Sequence, residues 1–374
     1  MNNNKSVLIA GASFAGLSSA YWLHQLGYAV TIVEIGHGIK QGGTPVNLRE
    51  NTIDIVKRMG LFEEVEARRL PMQGIEFIDA AGIAVASMPA PSSPTEAHGP
   101  DDEIEIERDT LLRMIFDAVH DDVAFLVGDS IAALAEYDSG IDVSFKSGVR
   151  RSYDLVLGCD GIHSSVRALC FGMEADYLHP LGAYFSITII EKLLIAENTS
   201  QLYNEPGLAV MLNAYNGKTD IVLCFASDEV IDYDYRDEAQ QRAIIASRFA
   251  GLGWRVPELL AEIKQSRTFY FDKLCQIKMP SWTRGRVALV GDAAYCASPA
   301  AGMGGSLAID GASALADALD KHDGDHALAF ADYDRAFRPF IEQVQADAVA
   351  FGLEMLVPRT AEAIRKRNAQ PIGG

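Results

Sequence analysis

The amino-acid sequence predicts an α/β fold in which a Rossmann-like domain carries an inserted β-sheet domain and a C-terminal helical segment. Three observations support this. The first 35 residues read strand–turn–helix–strand, a block of short β-rich segments begins near residue 173, and a bare apolar strand returns at Val287–Val290. A chain of 374 residues is long enough for about two domains.

The N-terminal unit is the clearest element of the sequence. Val7–Ala10 is a short apolar run typical of a buried parallel strand. After a glycine turn, apolar residues recur at helical spacing until Gly27, which ends the helix. A second apolar strand, Ala29–Val33, leads into Glu34. This order predicts a βαβ unit.

The next part of the chain alternates helices and hairpins. The pattern predicts a helix over Asn51–Met59, hairpin strands around Ile75–Val85, a loop over Met88–Asp102, a helix over Asp109–His120, and a hairpin from Ile141–Phe145 into Arg151–Leu157.

From residue 173 the sequence pattern changes to short β-rich segments followed by two helices. The β-rich segments are Tyr184–Ile190, Gln201–Tyr203, Ala209–Leu212 and Ile221–Phe225, and the helices lie near Gln240–Phe249 and Pro257–Ile263. We therefore expect a discontinuous Rossmann-like domain over residues 1–172 and 275–320, an inserted β-sheet domain over 173–274, and C-terminal helices over 321–374.

Composition limits the partners of the protein. The formal net charge is -19 and the pI about 4.8, which argues against nucleic acid because phosphate binding needs clustered Lys and Arg. Five scattered cysteines without a C-x-x-C pair argue against a disulfide framework or a zinc site. Neither a signal peptide nor a membrane span is evident, so we expect a cytoplasmic protein. No His/Asp/Glu cluster in the sequence has metal-ligand spacing, so we expect no metal. The expected oligomeric state is a monomer or dimer.

The turn Gly11-Ala12-Ser13-Phe14-Ala15-Gly16 lies between a strand and a helix. Gly11 permits the tight turn, Gly16 permits close packing of helix on strand, and Ser13 replaces the usual middle glycine. Free N–H groups at the helix start favour a pyrophosphate. Glu34, at the end of the second strand, suits a ribose 2′-OH and repels a 2′-phosphate, so the tightly held nucleotide is predicted to be NAD or FAD.

Two further strands deliver an aspartate to the same edge of the predicted sheet. Asp154–Cys159 ends at Asp160-Gly161, and Arg286–Val290 ends at Gly291-Asp292. Ligands of open α/β sheets bind at this edge. Downstream, Gly302-Met303-Gly304-Gly305 opens another helix and offers more unpaired N–H groups.

The three motifs, taken in order, resemble the class A single-component flavoprotein aromatic hydroxylases of the p-hydroxybenzoate hydroxylase type. The resemblance covers the whole chain. Within that family, Tyr21-Trp22-Leu23, Asp160–Ser164 and Gln276–Arg286 look most like the tetracycline-inactivating monooxygenases.

The resemblance implies roles for individual residues. Asp292 would bond the ribityl or ribose part of FAD, and Arg108 would lie along the flavin chain. Asn47 is similar to an Asp or Asn near the flavin, and Asp160-Gly161 would serve both FAD and transient NAD(P)H. The residues implied to border the isoalloxazine ring are Pro299, Gly302, Gly304 and Gly305.

The chain departs from the family pattern after Pro299. The family has Gly-Gln-Gly-x-Asn, whereas this chain has Met303 and Ser306 at the Gln and Asn positions. Backbone contacts can survive the change, but side-chain bonds to the flavin there cannot be carried over.

The implied activity is an FAD-dependent, NAD(P)H-consuming monooxygenase that hydroxylates an aromatic or polyketide-like molecule, with a tetracycline as the specific candidate. Oxygen transfer would proceed through a flavin C4a-hydroperoxide, so no protein nucleophile is needed and no catalytic residue is assigned. Between the inserted sheet and the flavin, we expect a substrate pocket whose walls include Tyr184, Ser186, Thr188, Met211 and Pro299.

Other flavoproteins remain alternatives. A halogenase would need a Trp-x-Trp-x-x-Pro element, and Trp22, Trp254 and Trp282 do not form one. An oxidase would share the Gly11–Glu34 region but not the two aspartate motifs. A flavin- or lipid-binding carrier without turnover would be separated from an enzyme by NADPH-dependent oxygen uptake. His163 is expected to be exposed or to support the site rather than to be catalytic.

Overall fold

The computed structural model describes residues 5–39, 41–89 and 103–369. Its strands are β1 (Ser6–Ala10), β2 (Ala29–Glu34), β3 (Val46–Arg49), β4 (Gly74–Ile78), β5 (Ala84–Pro89), β6 (Glu103–Ile106), β7 (Ala124–Val127), β8 (Ile131–Tyr137), β9 (Gly140–Phe145), β10 (Arg150–Tyr153), β11 (Leu155–Gly158), β12 (Leu178–Ile190), β13 (Thr199–Glu205), β14 (Leu208–Tyr215), β15 (Lys218–Ala226), β16 (Tyr270–Ile277), β17 (Thr283–Arg284) and β18 (Val287–Leu289).

The α-helices are α1 (Phe14–Gln25), α2 (Glu50–Arg58), α3 (Phe62–Ala67), α4 (Arg108–Asp117), α5 (Ser165–Cys170), α6 (Glu238–Arg248), α7 (Val256–Gln265), α8 (Asp292–Tyr295), α9 (Gly304–Lys321), α10 (His326–Asp347), α11 (Leu353–Leu356) and α12 (Ala361–Ala369). Short 3₁₀ turns lie at Glu174–Asp176 and Pro299–Ala301, and Ala348–Gly352 is π-helical.

The first sheet confirms the predicted Rossmann-like fold. Its strand order is β17-β18-β11-β1-β2-β7, and every pairing is parallel except that of β17 with β18. β1 lies at the centre, with Val7 opposite Leu155 of β11 and Val30 of β2. Because these strands are parallel, the carboxyl ends of β1, β11 and β18 meet at one edge, and the aspartate motifs follow two of them.

The inserted sheet has seven strands in the order β16-β12-β15-β14-β13-β4-β5. The predicted hairpin β4–β5 forms, but it joins this sheet through a parallel pairing of β4 with β13. The sheet therefore includes residues that lie before the expected boundary at residue 173. The division of the chain into the three predicted domains stays a prediction.

Each face of the seven-stranded sheet packs against a different layer. One face forms a core with α6 and α7, through residues such as Ile245 and Leu259. The other face packs against Ala300, from the 3₁₀ turn of the first domain, and against α11. This second face therefore looks towards the carboxyl edge of the first sheet.

The C-terminal helices form as predicted. α9 and α10 pack on each other, and α10 continues through the π-helical turn into α11. Residues 88 and 89 of the predicted 88–102 loop belong to β5, and the rest of that loop lies outside the described residues. No helix in the described ranges is long and apolar enough to span a bilayer. All five cysteines are described and unpaired.

Candidate FAD site

The glycine turn between β1 and α1 is dictated by backbone crowding. Gly11 has φ +102°, and a Cβ there would lie 2.4 Å from the carbonyl oxygen of Cys159 on the neighbouring chain segment. A Cβ on Gly16 would lie 1.9 Å from the carbonyl oxygen of Gly11. Only glycine at both positions lets α1 begin this close to the sheet.

The start of α1 is open for an anion. Ser13 is the N-cap, but its side chain makes no capping bond, so the first-turn N–H groups lack a side-chain acceptor. Arg108, at the start of α4, donates to the Ser13 hydroxyl at 3.2 Å and to the Gly42 carbonyl at 2.9 Å. The N-terminus of a helix together with a nearby guanidinium is the combination that binds a pyrophosphate. Burial lowers the pKa of Arg108, although Asp109 opposes the shift.

Glu34 lies on the other side of the same turn. Its carboxylate accepts hydrogen bonds from the N–H groups of Ala12 at 2.9 Å and Gly36 at 2.8 Å. Each carboxylate oxygen keeps a second lone pair for a ligand hydroxyl. A cavity of about 380 Å³ opens beside Glu34, and its walls are largely apolar residues of α4 and β7 such as Leu112, Phe116 and Phe125. The pair of a carboxylate and an apolar pocket suits an adenosine.

Asp292 follows β18 at the carboxyl edge of the sheet and begins the short helix α8. Its side chain keeps contact with solvent in the crevice, while surrounding protein atoms desolvate the carboxyl and raise its pKa. Gly291, with φ +69°, brings this strand end close to α1, because a Cβ there would lie 3.0 Å from the Cβ of Ala15. The structure thus places Asp292 beside the same crevice as the glycine turn.

Asp160 has a structural role that the sequence analysis did not anticipate. Its carboxylate accepts bonds from the Ser164 hydroxyl, from the Ser165 N–H at 2.7 Å and hydroxyl at 2.8 Å, and from the Val166 N–H at 3.1 Å. These donors belong to the start of α5, so Asp160 stabilises that helix terminus. Its direct contact with a cofactor stays a prediction. Gly161 follows at φ +79° and borders open space.

The turn before α9 separates the predicted ring-bordering residues into two groups. A Cβ on Gly302 or Gly304 would meet nothing within 4 Å, so both border open space, and Pro299 is exposed. Gly305 instead packs against β3, because a Cβ there would lie 2.6 Å from Val46 Cγ1. Gly305 therefore brings α9 close to β3.

Residues 303 and 306, where the chain departs from the family pattern, have defined structural roles. Ser306 is fully buried, and its hydroxyl donates to the Asn47 carbonyl at 2.6 Å. Met303 packs partly buried against the main core. Both side chains are thus used to hold α9 against the domain.

Asn47 supplies an independent sign that a ligand belongs here. The side-chain oxygen Oδ1 of Asn47 is buried and accepts no hydrogen bond. A buried acceptor without a donor is costly, so the atom calls for a donor from a water, an ion or a ligand. Together with the open glycines and the uncapped start of α1, this acceptor is compatible with FAD at the crevice.

The structure places the strand residues predicted for the substrate wall on two opposite faces of the inserted sheet. Tyr184 packs in the core formed with α6 and α7, and Ser186 and Thr188 share its face because side chains alternate along a strand. Phe185 and Ile187 face the opposite way, together with Met211 and Ala300. Met211 thus lies on the same side of the sheet as the turn Pro299–Gly302, whereas Tyr184, Ser186 and Thr188 lie on the opposite side. The hydroxyls of Ser186 and Thr188 are buried and have no hydrogen-bond partner.

A hydrogen-bond network at the edge strand β16 was not predicted. Asp272 accepts from the hydroxyls of Tyr233 at 3.0 Å and Tyr270 at 2.9 Å, and it lies 3.3 Å from Nε2 of His163. Nδ1 of His163 lies 2.9 Å from Glu174. The two carboxylates raise the pKa of His163 to about 9. No sequence signal could join these residues, because they come from separate loops and strands.

Comparison with known proteins agrees with the geometry. The family model of the FAD binding domain, FAD_binding_3, matches residues 4–347. The chain belongs to this FAD-binding family. The match confirms the resemblance to class A aromatic hydroxylases and the FAD-binding character of the Rossmann-like domain.

Individual relatives of this FAD-binding family are similar along nearly the whole chain. A flavin-dependent monooxygenase from an unknown prokaryotic organism is 34% identical and covers 100% of this chain and 96% of its own. Among solved structures, tetracycline destructase Tet(55) has 34% identity and a TM-score of 0.86, covering 100% of this chain and 96% of its own. Tetracycline destructase Tet(51) has 32% identity and the same TM-score, covering 98% and 95%. The chain is therefore an FAD-dependent monooxygenase by family.

Proposed function

We propose that the protein uses NAD(P)H and dioxygen to add one oxygen atom to an aromatic or polyketide-like small molecule. One observation supports this most directly. The crevice at the carboxyl edge of the first sheet carries Glu34, Arg108 and Asp292, and an apolar face of the inserted sheet meets Ala300. The crevice suits FAD, and the apolar face suits a flat apolar substrate held against the flavin ring.

The protein residues would bind, orient and shield rather than react. Reduced FAD, when bound, would supply activated oxygen, and the balanced reaction consumes substrate, O2, NAD(P)H and one proton to give hydroxylated product, water and NAD(P)+. Phe185, Ile187 and Met211 would hold the substrate and exclude water. Exclusion of water limits side reactions of the activated oxygen before it is transferred. No side chain of this wall is proposed as an acid or base.

For the reductant, we propose docking beside Asp160-Gly161 and not on a second nucleotide-binding domain. In the described residues, the sheets other than the first are antiparallel or mixed and carry no second βαβ unit. A cavity of about 550 Å³ lies next to this loop, and its lining includes Tyr233, Tyr235, His163 and Lys273 together with the carboxylates of Glu174 and Asp232. The aromatic side chains suit a flat ring, and Lys273 supplies a cation for a phosphate.

Tetracyclines are the specific substrate that we propose to test first. The support is the full-length similarity to Tet(55) and Tet(51), which are tetracycline destructases. A phenolic substrate is the second candidate, because the same apolar wall would accept it.

The deciding experiment follows NADPH loss, oxygen uptake and product mass with a panel of tetracyclines and phenols. The proposal predicts a yellow protein whose NADPH oxidation is stimulated by a substrate that gains the mass of one oxygen atom. Oxygen uptake that yields hydrogen peroxide with unchanged ligand would support an oxidase. Bound FAD without any NADPH oxidation would support a carrier. A chlorinated product formed in the presence of chloride would support a halogenase.

A further inference from the structure

The turn that borders the cofactor crevice begins at a strained residue. Ser298 has φ +85° and ψ +146°, a region that residues with a Cβ rarely adopt, and it is buried. Its hydroxyl accepts from the Ala300 N–H at 3.3 Å, and its carbonyl accepts from the Ala301 N–H at 3.0 Å. A strained backbone persists only where neighbouring structure holds it.

The C-terminal segment presses directly on this turn. Gly352 ends the π-helical turn and has helical φ and ψ angles, and a Cβ there would lie 2.2 Å from the carbonyl oxygen of Ala300. Glycine lowers helix stability relative to alanine, and this contact is a physical reason for glycine at residue 352. π-helical turns are rare, and they often lie at functional sites.

The other end of the same segment is hydrogen-bonded to the inserted sheet. The Asn204 side chain on β13 donates to the Leu356 carbonyl at 3.0 Å. Arg367 of α12 donates to Asn204 Oδ1 at 2.7 Å and to the Met355 carbonyl at 2.9 Å. Leu353 and Leu356 pack with Ala300 against the sheet. The segment is therefore anchored on one side and in contact with the strained turn on the other.

We infer that residues 348–357 are a positioning clamp in which Gly352 holds the turn Ser298–Gly302 in its strained conformation against the crevice. The inference rests on the proposed function, because it takes this turn to border the flavin ring. Gly352 would act on the cofactor through Ala300 and not by touching it. An added Cβ at residue 352 has to displace either the helix or the turn, and the strain at Ser298 favours movement of the turn.

The test is the substitution Gly352→Ala with two readouts that do not require turnover. Hydrogen–deuterium exchange of the peptide spanning residues 297–303 should speed up about tenfold, because the Ala300, Ala301 and Gly302 amides lose their bonds. The dissociation constant for FAD, measured by flavin fluorescence, should rise about tenfold. The control Val349→Ala changes an exposed residue of the same π-helical turn and should leave both unchanged.

A rescue variant separates positioning from general damage. Ser298→Gly removes the strain, because glycine adopts positive φ readily. The double variant Gly352→Ala with Ser298→Gly should therefore recover much of the FAD affinity that Gly352→Ala loses. General damage to the helix would not be repaired by a change at residue 298.

The clamp would be overturned if Gly352→Ala left both the exchange rate of the peptide 297–303 and the dissociation constant for FAD within about twofold of the parent values. Should Gly352→Ala fail to fold, Arg367→Gln decides the matter, because it loosens the anchored end without touching the turn. Faster exchange at 297–303 in that variant supports the clamp, and unchanged exchange refutes it. If the parent protein binds no FAD, the proposed function fails, while the exchange measurement still decides the clamp.

Discussion

The carboxyl edge of the first sheet and the inserted sheet specify their residues in different ways. At the carboxyl edge of the first sheet, backbone atoms lie so close to Gly11 and Gly16 that only one residue type fits, and Glu34 follows at the end of the adjacent strand. In the inserted sheet, β12 is buried on both faces in its centre, so Tyr184 and Phe185 look equally suitable as a pocket wall. Steric demands can be recognised in a sequence, whereas the facing of a doubly buried strand cannot.

The substitution with the largest expected effect tests the close backbone contact at the glycine turn. Gly16→Ala places a Cβ 1.9 Å from the Gly11 carbonyl oxygen, so α1 must move away from the sheet. We expect destabilisation of about 3 kcal/mol or more and loss of FAD binding. Thermal unfolding and the flavin absorbance of the purified protein measure the two effects.

The control for that substitution is Gly251→Ala. Gly251 has φ +80°, and a Cβ there meets nothing within 4 Å, so only backbone strain of about 1 kcal/mol is added. FAD binding should be intact in this control. A yellow Gly16→Ala protein of parental stability would show that the crowding at this turn does not determine the site.

The next effect concerns the carboxylate at the end of β2. Glu34→Gln removes the charge and one acceptor position, so a ribose hydroxyl loses a charge-assisted bond. We expect the dissociation constant for FAD to rise about 10–100-fold, which corresponds to about 1.4–2.8 kcal/mol. Fluorescence titration of the FAD-free protein measures it, and Glu64→Gln, which changes a surface acid paired with Arg68, is the control. An unchanged constant would mean that Glu34 only shapes the turn.

How much the sequence could predict follows the same division. The βαβ unit, the strand-end aspartates and the C-terminal helices were predictable, because each depends on local pattern. The pairing of β4 with β13 and the contact of His163 with Asp272 were not, because they join segments far apart in the chain. The capping role of Asp160 was also hidden, since an acid before two serines fits a helix cap and a ligand site equally well.

The third prediction distinguishes the two faces of β12 as the substrate wall. Ile187→Ala removes apolar contact from the face shared with Met211 and should raise the KM for the substrate about tenfold. Ser186→Ala, on the opposite face, removes a buried hydroxyl that has no partner, so KM should stay unchanged and stability should stay equal or rise slightly. Steady-state kinetics at saturating FAD and NADPH compare the two variants. The reverse order of effects would restore the wall first expected from the sequence.

The smallest expected effect uses the network that joins the two regions. The carboxylates of Asp272 and Glu174 raise the pKa of His163 from 6.5 to about 9 in the folded protein. Because the pKa of His163 is higher in the folded than in the unfolded protein, protonated His163 stabilises the fold. This stabilisation is fully present below pH 6.5 and is lost as the pH rises through about 9. His163 is 49% exposed, so solvent screening keeps the contribution below about 1 kcal/mol.

The variant His163→Gln should therefore flatten the decline of the melting temperature between pH 6.5 and about 9 while leaving FAD affinity at pH 6 nearly unchanged. Other groups around His163 set the background for this measurement. Lys273 and Asp232 line the same cavity as His163, and Arg167 lies 3.5 Å from Glu174. His120→Gln, at an exposed site beside Asp121, is the matched control. A His163→Gln profile parallel to that of the parent would show that the ion pairs of His163 with Glu174 and Asp272 add nothing measurable to stability, and that the Asp160-Gly161 loop and β16 are held together by other contacts.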